Sequence, residues 1–268
     1  MLDAVFDDIP QIYKFCYLAY SQASILRYGS HNIFSEEGTQ QGDPLSPLLF
    51  CITLQPLLSS LSSELVIGYI DDVTLGGTVS AVQRDVDYIK EHGTTLGCDL
   101  NITKCELISH SSLQLSTSTL NSFIKIIPNE ANLLGAPLFS GSCLDFTLNN
   151  KLEEMTRLSD NLRHISAHDA LLILKYSLST PRILHLLRCS PCHNHQTIAD
   201  IDNLLRTNIC HIANVDLSAS QWMQASLPTK SGGLGIRRGA SLALPAFLFR
   251  VKHCVLTRSY PTSYSWII

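Results

Sequence analysis

Positions 68–73 read GYIDDV, two adjacent aspartates set in an apolar run. An ionised carboxylate that is buried without a partner gives up its hydration at considerable cost. Adjacent residues of a strand also point to opposite faces, so a straight half-buried strand would turn one of the two acids inward. Both carboxylates converge only where the chain reverses. The stretch LVIGYIDDVTLGG therefore reads as strand, acid pair, strand and two glycines, a hairpin with Asp71 and Asp72 at its tip. On its own the dipeptide reads most simply as a solvated turn, because Asp is a favoured turn residue. Two acids above an apolar sheet also suit a divalent cation held for phosphoryl transfer.

The surrounding pattern alternates helices with hairpins. Leu2, Val5, Phe6, Ile9, Ile12, Phe15, Cys16 and Ala19 recur at three- and four-residue spacings, which predicts helix over the first 27 residues. Ile25 and Arg27, then Ile33 and Phe34, flank the turn YGSHN and predict a hairpin. GDPLSP breaks the chain, and Pro47 opens the helix LLFCITLQPLLSSLSS. VSAVQRDVDYIKEHGTTLG is an amphipathic helix with the stripe Val82, Val86, Ile89 and a stop at Gly97. CDLNITKCELIS reads as a short strand pair and ANLLGAPLFSG as strand and turn; from about residue 146 the pattern is helical. The fold class is α+β, with the boundary near 142–148 and regions of 1–142 and 143–268.

Composition limits the partners. The chain has 268 residues, 45% hydrophobic and 16% charged, with net charge −4. That is a globular composition, and it argues against strong autonomous nucleic-acid binding while leaving room for a local basic groove. Nine scattered cysteines fit a reducing compartment. The N-terminus carries Asp3, Asp7 and Asp8 and no basic region, so it is not a secretory signal. The apolar run SPLLFCITLQPLL is too short for a bilayer, and an intracellular, soluble protein without a membrane partner is expected.

Four ordered motifs give the acid pair a context. EEGTQQGDPLSPLLF, then GYIDDVTLGG, LNITKCELI and NLLGAPL resemble the reverse transcriptases of retrotransposons, the non-LTR type above all. QQGDPLSPLLF looks like motif B, YIDD like the catalytic acid box with Ile70 in place of the usual Ala or Val, and LNITKCELI like motif D. LLGAPL resembles the primer-grip region, and LPTKSGGLGIRR a stretch downstream of the polymerase core. The likeness covers about residues 1–240. It implies a polymerase palm of antiparallel hairpins with helices, followed by a mostly helical thumb-like region. It further implies Mg²⁺, an RNA template, a DNA primer and deoxynucleotides. By the same resemblance Asp71 is a metal ligand and Asp72 its supporting carboxylate. Gln41 and Gly42 lie at the nascent base pair with Tyr69 beside the acid box, and Lys104 donates a proton to departing pyrophosphate.

Nothing ahead of motif B resembles motif A, the strand that carries the first catalytic aspartate, or the fingers. Asp3, Asp7 and Asp8 lie in a helical setting and are poor substitutes. The chain as given is therefore expected not to polymerise, being a truncated gene or a decayed copy. The alternative is a non-catalytic retrotransposon remnant that binds RNA or a protein weakly. Elsewhere, RCSPCHNH offers Cys189, Cys192, His193 and His195, with Cys210 and His211 further on. That spacing is compatible with zinc or haem attachment, but a Pro-broken turn between helices is the simpler reading. Arg237 and Arg238 read as a solvated pair beside a Gly-rich turn.

Overall fold

The computed structural model describes residues 1–40, 42–109, 119–255 and 265–267. They form two compact units, the first of residues 1–125 with 263–268, the second of residues 126–262.

The first unit begins with two helices, α1 (Leu2–Asp8) and α2 (Pro10–Tyr20). The continuous helix expected over residues 1–27 is thus interrupted. Pro10 crowds the residue before it out of the helical region, and Ile9 sits at φ −139°. Strands β1 (Ser24–Tyr28) and β2 (His31–Ser35) pair with Tyr28 opposite His31, so Gly29 and Ser30 make a two-residue turn, with Gly29 at φ +60°. Ile25, Leu26, Ile33 and Phe34 are exposed on the two faces of this ribbon. Helix α3 (Ser46–Ser59) starts with Pro47 in its first turn, where a missing N–H costs nothing.

Strands β3 (Leu65–Tyr69) and β4 (Asp72–Gly77) form the acid hairpin. Helix α4 (Val79–Gly93) follows, capped where the Thr78 hydroxyl accepts the Ala81 N–H. It stops at Gly93; a short turn over Thr94–Leu96 then hands over to Gly97 in the left-handed region. Of the strand pair expected in CDLNITKCELIS only one strand forms, β5 (Glu106–Ile108). Residues 102–104 instead make a 3₁₀ turn, tied by the Thr103 hydroxyl donating to the Asn101 side chain. Strand β6 (Ile124–Ile126) lies beside β5.

In the second unit β7 (Asn132–Leu133) and β8 (Ala136–Pro137) form a minimal ribbon turning at Leu134 and Gly135, both at positive φ. Helices α5 (Ser142–Asn161), α6 (Ala167–Ile173), α7 (Thr180–Cys189), α8 (Gln196–Ala213), α9 (Ala219–Ala225) and α10 (Gly239–Val255) follow. Their core gathers Leu148, Met155, Leu174, Leu187, Ile201 and Leu205, all nearly inaccessible.

Strand β9 (Ser265–Ile267) belongs to the first unit and completes a sheet of order β3-β4-β9-β5-β6. It is antiparallel to both β4 and β5. Strands β4 and β5 therefore run parallel, with α4 as their crossover and β9 filling the position between them. Leu75, Val82, Val86, Leu107, Leu120 and Phe123 are the buried residues of this layer. The protein is α+β, and no helix among the described residues is long and apolar enough to cross a membrane.

Candidate functional site

The acid hairpin closes with Tyr69 opposite Asp72, which leaves Ile70 and Asp71 as the turn. Asp72 is the first residue of β4. Ile70 sits at φ +55°, a region that a β-branched side chain strongly disfavours. The pleat sorts the flanking residues by face. Val66, Gly68, Val73 and Leu75 share one face, and Val66, Val73 and Leu75 pack into the core cluster. Asp72 and Tyr69 share the other. Both Asp71 and Asp72 are exposed, and neither accepts a hydrogen bond or forms an ion pair among the described residues.

The register also locates Lys104. Leu75 of β4 and Leu107 of β5 both pair with Ile267, so they lie at one level of the sheet. Three residues back from each are Asp72 and Lys104, which puts both at the same end of the sheet. Two strands separated by a third are about 10 Å apart. Lys104 is exposed at the end of its 3₁₀ turn.

The GDP segment is fixed by a pair that the motif reading did not single out. The Tyr20 hydroxyl donates to one oxygen of Asp43, and the Leu45 N–H donates to the other at 2.9 Å. These two bonds hold the Asp43 carboxyl below its ordinary value, while burial and Asp43 push the Tyr20 phenol up. An Asp before Pro in a Gly-Asp-Pro break was the available signal. Gly42 adopts φ +92° with open space around its α-carbon, so its backbone conformation and not crowding calls for glycine. Gln41 lies outside the described residues.

A second unread residue anchors the hairpin's entry. Asp85 of α4 is 4% exposed, and its carboxylate accepts the N–H groups of Ser62 and Ser63 and the Ser62 hydroxyl. Burial pushes its carboxyl up, but the bonds from Ser63 and Ser62 together outweigh it and hold it below 3.8. Asp85 is an acid between Val82 and Val86 on an apolar stripe, and that misplacement was its signal.

Two exposed, unengaged carboxylates suit a small hard cation, which takes one or two protein carboxylates and completes its shell with water and phosphate oxygens. No group of three or more His, Cys, Asp or Glu side chains converges on a metal position among the described residues. Asp3, Asp7 and Asp8 lie exposed on α1. The four residues of RCSPCHNH do not converge either. Cys189 Sγ meets His185, Cys192 Sγ meets the Leu186 carbonyl, and His195 caps α8 through the Thr197 N–H while pairing with Asp145 at 2.9 Å. In LPTKSGGLGIRR, a β-carbon on Gly233 would come within 2.1 Å of the Leu227 carbonyl oxygen, so a tight turn explains that glycine.

Known proteins agree with the motifs. The family model described as reverse transcriptase (RNA-dependent DNA polymerase) matches residues 3–138, a span that contains the GDP turn, the acid hairpin, Lys104 and LLGAPL. The chain is also 26% identical over 249 residues to the retrovirus-related Pol polyprotein from type-1 retrotransposable element R2 of Popillia japonica. That match takes in 81% of this chain and 39% of the polyprotein, so the chain spans about two fifths of its relative's length. No solved structure matches. The chain belongs to the reverse transcriptase family, and its likeness to the R2 polyprotein agrees with the non-LTR type.

Proposed function

We propose that the first unit is the acid-box part of a polymerase palm, serving RNA-templated DNA synthesis in the intact parent protein, and that the helices of the second unit act as its thumb. The observation that carries this reading is the acid hairpin: two adjacent, unengaged carboxylates on a strained two-residue turn, inside the span that matches the family. Asp71 and Asp72 are the residues to hold Mg²⁺, which when bound neutralises phosphate charge. Gly42, with Gln41 before it, borders the nucleotide and its base pair, and Tyr69 flanks the acids. Lys104, at the Asp72 end of the sheet, gives a proton to the leaving pyrophosphate in this reading.

The residues in hand do not sustain polymerisation by themselves in this reading. Phosphoryl transfer depends on positioning and charge neutralisation, and two carboxylates without a third hold the ions weakly. The test is primer extension by the purified chain with an RNA template, a DNA primer, deoxynucleotides and Mg²⁺. No incorporation is expected. Incorporation that Asp71→Asn abolishes would contradict the claim of inactivity. The second reading, a non-catalytic remnant that binds a protein, draws on the β1–β2 ribbon, whose Tyr28 and Phe34 are 76% and 60% exposed.

A further inference from the structure

Helix α7 carries a nucleophile and a base one turn apart. Cys189 Sγ lies 3.8 Å from His185 Nδ1, and His185 Nε2 lies 3.1 Å from the Leu134 carbonyl oxygen. A carbonyl oxygen only accepts, so Nε2 carries the ring hydrogen. Nδ1 of the neutral ring then presents its lone pair to the Cys189 S–H. Nucleophile, base and a group that orients the base are the components of an activated thiol. The orienting carbonyl sits on the tight Leu134–Gly135 turn, which fixes the ring independently of the cysteine.

Other thiols of the chain are arranged differently. Cys98, Cys105 and Cys192 point their S–H groups at the carbonyls of Leu96, Asn101 and Leu186. Cys192, three residues from Cys189, is 1% exposed, and burial pushes its thiol up to about 11. Cys51 is exposed, and no base stands beside it among the described residues. Among the described cysteines Cys189 alone combines partial exposure with a basic nitrogen.

A cavity of about 360 Å³ opens at the same histidine, lined by Thr147, Lys151, Glu154, Arg182 and His185. Glu154 accepts from Lys151 at 2.6 Å and from Arg182. Each cation keeps further N–H donors free, and the two cations against one carboxylate leave the cavity positive. It offers room and charge for the anionic end of a reagent whose disulfide reaches Cys189, one turn beyond His185 on α7 and outside the cavity lining.

We propose that Cys189 is a site of thiol–disulfide exchange with anionic low-molecular-weight disulfides. His185 Nδ1 takes the Sγ proton as the sulfur attacks one sulfur of the disulfide. A protein–reagent S–S bond forms, the reagent's S–S bond breaks, and the released thiolate recovers the proton from the imidazolium. Cys189 is oxidised and the departing half of the reagent is reduced. Cys189 closes α7, and a helix C-terminus disfavours an anion, so the contact with His185 is what removes the proton during attack.

The test is peptide mapping by mass spectrometry of the full chain treated with glutathione disulfide, which is anionic, or hydroxyethyl disulfide, which is neutral. With glutathione disulfide, Cys189 should be modified about tenfold or more faster than Cys51. His185→Gln, which keeps a donor for the Leu134 carbonyl, should bring Cys189 down to the rate of Cys51. Lys151→Gln with Arg182→Gln should slow the anionic reagent and leave the neutral one unchanged. Modification of Cys51 ahead of Cys189 in the unaltered chain would overturn the proposal without any variant. An unchanged Cys189 rate in His185→Gln would overturn the role of the base, and equal slowing of both reagents that of the cavity.

Discussion

Ile70 occupies the one position of the acid hairpin where its own chemistry is unfavourable. A β-branched residue in the left-handed region costs roughly 1–2 kcal/mol, and Ile70 holds φ +55° between Tyr69 and Asp71. Such strain persists when neighbouring contacts over-determine the backbone. Here the β3–β4 ladder and the packing of Val66, Val73 and Leu75 supply them. Ile70→Gly removes the clash and loses a side chain already partly in solvent. The variant is expected to gain about 1 kcal/mol in chemical denaturation, less the extra freedom that Gly brings to the unfolded chain. A loss of stability would show that the Ile70 side chain contributes more by packing than its backbone costs. The sequence made the acid pair conspicuous at this scale, because two charges in an apolar run need a reason. It did not reveal that Ile70 carries the positive φ, since turn chemistry favours Gly or Asn there.

Between elements, Asp85 ties α4 to the chain entering β3. Its three donors come from Ser62 and Ser63, 23 and 22 residues away. Asp85→Asn replaces an acceptor by an amide that must present N–H groups to N–H groups. A loss of roughly 1–3 kcal/mol at neutral pH is expected. The pH dependence follows from its lowered carboxyl. The folded value lies below 3.8. The stabilisation is therefore complete above 3.8 and is lost as the pH falls through the folded value. Asp85→Asn should flatten that acid limb in denaturation curves measured across pH. Asp202 runs the other way. Burial pushes it up despite the Gly239 and Ala240 N–H bonds, so its contribution falls as pH rises through its folded value. An acid limb unchanged in Asp85→Asn would contradict this assignment. Elements with a strong local code were legible: the β1–β2 turn, Pro47 at the start of α3, the stripe of α4. The single early helix was misread because apolar spacing continued across Pro10, where only the pre-proline restriction interrupts it. The expected second strand near residue 102 lost to a side-chain bond between Thr103 and Asn101.

The whole molecule adds what local patterns cannot carry. Strands β4 and β5 lie parallel with β9 between them, and β9 comes from residues 265–267. No periodicity near the acid pair announces a partner so far along the chain. That register brings Lys104 to the level of Asp72, with β9 between their strands. Asp43 and Asp85 show the reverse: each was visible as an acid in an odd setting, yet its partner depended on the tertiary fold. The central claim is that Asp71 and Asp72 form a cation seat. Mn²⁺ binding to the purified chain, read by electron paramagnetic resonance, tests it most directly. The account predicts weak binding that falls about tenfold in Asp71→Asn, as expected when a site loses one charged oxygen ligand, with Asp7→Asn on α1 leaving it unchanged. Equal Mn²⁺ binding in the unaltered chain and Asp71→Asn would contradict it.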